Sequence, residues 1–146
     1  MLDSGFLILT PIEDGLMAQS YKDLEIYRLS HKLAVEVHKA SLKLPRFEMH
    51  EEGNQLRRAA KSIPSNIVEG FGRRRYKNEF LKFLIYALAS CDETREHLEI
   101  LLETGSPGNG GTFRHFLDKY DELGRKINNF IKAVDSGHMT RRQSST

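Results

Sequence analysis

Cysteine is almost missing from these 146 residues. Cys91 stands alone, which excludes an internal disulfide and fits a reducing compartment. Long apolar runs are missing too: none reaches the ~18–20 residues of a membrane span, so no membrane partner is expected. Charge of one sign is scarce, with Lys and Arg exceeding Asp and Glu by only two, so bulk charge does not announce a nucleic-acid binder. Metal signatures fail as well. None of the six histidines has a glutamate three residues before it, which excludes the paired Glu-x-x-His pattern of a di-iron bundle. There is no His-Glu-x-x-His and no clustered Cys/His set for zinc. Gly70-Phe71-Gly72 lacks the third glycine and preceding strand of a nucleotide fold, and no Gly-Lys-Ser/Thr phosphate loop occurs. The sequence therefore points to no cofactor, no metal and no enzyme.

What is present is ordinary for one globular domain: 39% apolar and 29% charged residues. A chain of this length buries roughly 68–70% of its unfolded surface and needs no covalent staple. A cytoplasmic protein is expected. Residues 1–20 carry an apolar patch, Phe6–Leu9, but Asp3 stands where a secretory signal would be basic, so no signal peptide is expected. These residues are expected to form a loose extension, with a possible start at Met17. Residues 21–136 hold the periodic segments, and 137–146 are expected to be a polar tail.

Four segments carry helical periodicity and none reads as a strand. Ile26, Ser30, Leu33, Val37, Ala40 and Leu44 trace one stripe near 23–44, with Ser20 and Asp23 as a possible cap and Pro45 as the stop. Leu56, Ala60, Ile63, Ile67 and Phe71 continue the pattern near 50–72. Pro64 should kink that helix rather than break it, and Gly70 and Gly72 supply the end signal. Phe80, Leu84, Ala87, Cys91, Thr94, Leu98 and Leu101 form a third seam near 76–104. Phe113, Leu117, Tyr120, Gly124, Ile127, Ile131 and Val134 mark a fourth helix near 112–135, capped by Thr112. Sevenfold spacing throughout suits shallow crossing angles, and short connections suit alternating directions. The expected fold is all-α, an antiparallel up-and-down four-helix bundle.

Two features exceed a plain bundle. From Phe80 to Cys91 only Lys82, Tyr86 and Ser90 interrupt the apolar run, more than one core can cover. Leu81, Ile85 and Leu88 therefore either pack under neighbouring helices or form a subunit interface, and the interface is the favoured expectation. Charge is also unevenly spread. Arg57, Arg58, Lys61, Arg73, Arg74, Arg75, Lys77 and Lys82 face only Glu69 and Glu79, whereas Asp92, Glu93, Glu96, Glu99 and Glu103 face only Arg95. Arginines beside the free N–H groups of a helix start make a candidate phosphate site; a solvated basic turn is the alternative. Glu93 and His97, one turn apart, are expected to make a solvated contact, and Cys91 to be a small core residue.

The stretch Gln55–Arg74 resembles the signature of a bacterial family known as the four-helix bundle, or ribosomal-RNA intervening-sequence, protein family. Asp23-Leu24-Glu25-Ile26-Tyr27 resembles its opening block; Lys77–Leu84 and Ala87–Glu93 resemble its third-helix block. The resemblance spans about Tyr21–Val134. It implies an up-and-down bundle assembled as a homopentameric ring. A related group, the accessory proteins of diversity-generating retroelements, forms basic barrels that bind nucleic acid and a reverse transcriptase. By that likeness Arg57, Arg58, Lys61 and Arg73–Arg75 become candidates for a basic ring surface, and Ser62, Asn66 and Glu69 for polar contacts between helices. The expected function is a non-enzymatic oligomer that binds RNA or DNA through a basic surface; the alternative is a protein-interaction scaffold.

Overall fold

The computed structural model describes residues 18–105 and 110–138. They are almost entirely helical. A 3-10 turn, Tyr21–Asp23, leads into α1, Glu25–Ser41; the five-residue α2, Arg46–His50, precedes α3, Glu52–Gly72; α4 is Lys77–Glu103 and α5 Gly110–Ala133, followed by a π-helical turn, Val134–His138. No strand occurs among the described residues. Met17 and most of the expected extension and tail lie outside them.

The four long helices share one core. α1 packs on α3, α3 on α4, α4 on α5 and α5 on α1, so α1 and α4 stand diagonally with α3 and α5 between them. Every residue of the third seam is buried. In α5 the stripe lies one flank over from expectation. Phe113, Tyr120, Ile127 and Val134 are buried as expected, but Phe116, Leu123 and Phe130 join them, while Leu117 and Ile131 are half-buried and Gly124 borders the Cys91 thiol. Both choices repeat every seven residues, and the flank carrying the two larger phenylalanines and a leucine went inside, as burying more apolar area dictates.

Local chemistry explains the helix ends. Ser20 and Asp23 do form a reciprocal capping box, but around the 3-10 turn and not around α1, which starts on Leu24 with no side-chain cap. Thr112 is not the cap of α5, because that helix already begins at Gly110. Pro45 opens α2, four residues beyond the end of α1, where its fixed φ and missing N–H cost nothing. α2 has no counterpart in the sequence pattern; its five residues are too few for a period. Pro64 sits within a single unbroken α3.

Gly70 and Gly72 are not end signals, since neither has positive φ and α3 closes on Arg73 at φ −105°. Gly70 serves packing instead. A Cβ there would come within 3.0 Å of the Phe83 Cβ, so the missing side chain lets α3 and α4 approach closely just before the turn.

Candidate nucleic-acid interface and the charged faces around it

The basic residues fall into three places. The first is inside. Arg57 donates from Nη1 to the Ser41 hydroxyl at 2.8 Å and from Nη2 to the Met49 carbonyl at 3.0 Å. It thus ties the end of α1 and the short α2 to α3, and the two Nη donors that do so are occupied within the chain. This inward role leaves no trace in sequence spacing, because Ser41 and Met49 are brought to it by the α1–α3 connection.

The second place is the turn between α3 and α4. Arg73 bridges Glu69 and Glu79, with nitrogen–oxygen distances of 3.0 and 3.1 Å, and its guanidinium lies 5.0 Å from the centre of the Phe83 ring. The hydrogen bond to Glu69 leads the interactions that raise its pKa further above the ordinary arginine value. Lys82 also reaches Glu79, at 3.4 Å, and covers the same ring. Arg74 stacks 3.9 Å from the Phe71 ring centre and donates to the Phe71 carbonyl. Arg75 lies 6.0 Å from the ring of Tyr76, which is 63% exposed. Lys77 donates to the Asp135 carbonyl at 2.8 Å and lies 3.8 Å from its carboxylate.

The turn therefore gathers five cations around three carboxylates. Glu79, in the first turn of α4, already answers the helix dipole there. What remains for an outside anion is Arg74, held flat against Phe71, and Arg75, which makes no ion pair among the described residues, next to an exposed aromatic ring. Guanidinium forks beside an uncapped helix start and a free phenol ring form a surface suited to phosphate and base together.

The third place is a groove of about 390 Å³ between α1 and α3. Pro64 and Val35 help form its apolar floor, while His31, His38, Lys39 and Lys61 line it and no carboxylate does. Burial, with Lys61 and Arg57 nearby, holds the His38 imidazole below its ordinary pKa. Arg58, exposed on α3, makes no ion pair among the described residues.

Ser62, Asn66 and Glu69 do not bridge helices. Ser62 donates to the Ala59 carbonyl, Asn66 to the Ser62 carbonyl, and Glu69 pairs with Arg73 one turn on, so each is satisfied close to home in sequence. The apolar trio of α4 divides. Leu81 and Leu88 are half-buried against the chain's own core, and Ile85 remains 52% exposed with Tyr86 beside it.

The Glu93–His97 pair is more than a surface contact. His97 is largely buried and its Nδ1–H donates to Glu52 at the start of α3, while Glu93 stands 3.8 Å from Nε2. Sequence spacing could show the partner one turn away but not the one 45 residues back. Cys91 is fully buried, donates to the Tyr120 carbonyl at 3.3 Å, and has its thiol pushed up to about 12 by burial. Among the described residues no cluster of His, Cys, Asp and Glu could hold a metal ion, and no helix is long and apolar enough to cross a membrane.

These features define an all-helical protein with a basic, aromatic-flanked turn between α3 and α4. Residues 22–129 match the model of the 23S rRNA-intervening sequence protein family, and the chain belongs to that family. No curated protein matches it.

Proposed function

We propose that the protein is a non-enzymatic, oligomeric bundle of up-and-down helices that binds RNA or DNA through basic residues repeated around a ring, with five copies as the expected number. The observation that carries this reading is the α3–α4 turn, where the exposed Arg75 stands beside the exposed Tyr76 and the half-buried Arg74 lies flat on Phe71, while Arg73 is anchored between two carboxylates. Alternating helix direction is supported by contacts that run in opposite order. Glu52 at the start of α3 meets His97 late in α4, and Gly70 near the end of α3 meets Phe83 early in α4. Phe80 early in α4 likewise meets Phe130 late in α5. The family's name, which refers to a ribosomal RNA gene insert, is consistent with a nucleic-acid partner.

Assembly matters because so few cations are spare. About two phosphate contacts per subunit would bind negligibly alone, whereas five subunits reach ~10 and give steep salt dependence. The test is fluorescence anisotropy with a labelled single-stranded RNA and a labelled duplex DNA across a salt series. Replacing Arg73, Arg74 and Arg75 by Gln should weaken binding and flatten the slope of log affinity against log salt by roughly 0.7–0.9 for every phosphate the variant no longer neutralises. Flat anisotropy at low salt would leave the scaffold reading in its place, and an unchanged slope would move the site off this turn.

A further inference from the structure

The acidic half of α4 and the basic groove between α1 and α3 are complementary, and one chain cannot satisfy one with the other. Ile85, Ala89, Asp92, Glu96, Glu99 and Glu103 recur in steps of four and three and are all exposed. They form a single outer stripe ~27 Å long. Asp92 reaches Arg95, but Glu96, Glu99 and Glu103 have no cation within ion-pair distance among the described residues. Across the molecule, α1 exposes His31, Val35, Lys39 and Leu42 at the same spacing, a stripe of ~17 Å. Lys61 and Pro64 of α3 complete the groove beside it. Lys39 and Lys61 make no ion pair among the described residues. Each stripe thus joins exposed aliphatic side chains to unpaired charges, and the charges are of opposite sign. Because α1 and α4 are diagonal in the bundle, the two surfaces can meet only between copies.

We propose that the α1–α3 groove of one subunit receives the outer stripe of α4 from the next, a head-to-tail contact between two different surfaces of the same chain. It rests on the oligomeric reading above and names the surfaces that make it. Val35 and Pro64 supply apolar area for Ile85 and Ala89, and Lys39 and Lys61 oppose the glutamates. A contact between unlike surfaces propagates from copy to copy and closes into a ring when the rotation permits, whereas a like-with-like contact would stop at two. Pairing the lysines this way leaves the arginine turn free on every subunit.

Charge exchange tests it. Lys39→Glu with Lys61→Glu, and separately Glu96→Lys with Glu99→Lys, place like charges across the contact. Each double variant should run as single 16.8-kDa subunits in light scattering, with self-association weakened at least ~100-fold. Far-ultraviolet circular dichroism should report the wild-type fold, since all four positions are exposed. Carrying all four substitutions in one chain should restore assembly, whereas a mixture of the two variants should associate only alternately and so cannot close a ring of five without one repulsive junction. If wild type assembles and the double variants assemble equally well, this interface is wrong and the oligomeric reading survives. Failure of the fourfold variant to reassemble, with the fold intact, also overturns it. If the lysine variant assembles normally but loses affinity for RNA, the groove belongs to nucleic acid instead. A wild type that stays single at every concentration sinks the oligomeric reading itself.

Discussion

Arg57 and Arg74 look alike in the sequence, yet their guanidinium groups have different surroundings. The Arg57 fork donates to the Met49 carbonyl and to the Ser41 hydroxyl, which itself donates to the His38 carbonyl, so losing these two bonds in Arg57→Met should lower stability by about 1.5–3 kcal/mol. Urea unfolding would measure that decrease. In the folded variant, the salt dependence of nucleic-acid binding should match wild type. Cys91 makes a second case. Its pKa is raised from an ordinary value near 9 to about 12, so the folded state resists forming the thiolate. The thiol's contribution to stability is complete below pH 9 and disappears as pH rises from about 9 to about 12, where the unfolded chain gains by ionising first. In the folded protein at about pH 8, a disulfide-exchange reagent should therefore modify Cys91 only as fast as the chain opens, and adding urea to the unfolding midpoint should accelerate the reaction sharply.

Among the elements, α3 contains the one clear conflict between local propensity and fold. Pro64 removes a hydrogen bond within a 21-residue helix, yet its ring is buried and helps floor the α1–α3 groove. Pro64→Ala should therefore raise the thermal midpoint, by an amount equivalent to about 1–3 kcal/mol less whatever packing the ring supplied. An unchanged or lower midpoint would show that the ring contributes more through shape than it costs in backbone bonding. Helices with a sustained sevenfold repeat, α4 above all, are readable in the sequence because burial of one face imposes the period. Phe116, Leu123 and Phe130 are not, since two flanks of α5 offer equally regular apolar spacing and only three-dimensional packing chooses between them. Gly70 misleads for a related reason. A glycine near a helix end suggests a left-handed cap, but the close approach of Phe83 that requires it comes from another helix.

At the scale of the whole molecule, charge is the most legible property and its use the least. The sequence separates a basic stretch from an acidic one, and the structure distributes the basic one among three surroundings. Arg57 faces inward; Arg73 and Lys82 are balanced by Glu69 and Glu79; Lys61 lies in a groove with His38. The partners of Arg73 and Lys82 lie three to six residues away, within reach of spacing, but the surroundings of Arg57 and Lys61 are brought from α1, which spacing cannot supply. They also lower the number of cations left for a partner. The expected flattening of the salt slope and the rescue by exchanged charges therefore bear on one question, whether many weak contacts are summed by self-association.

The close seat of Phe83 against Gly70 has a kinetic side. α3 and α4 are consecutive in the chain, joined by four residues, and share the most extensive packing in the molecule. Two packed helices that are neighbours in the chain need little loop closure, so on refolding they are the part able to form earliest, before α1 or α5 has docked. The arginine turn would then exist as a shaped object while the rest of the chain is still arriving.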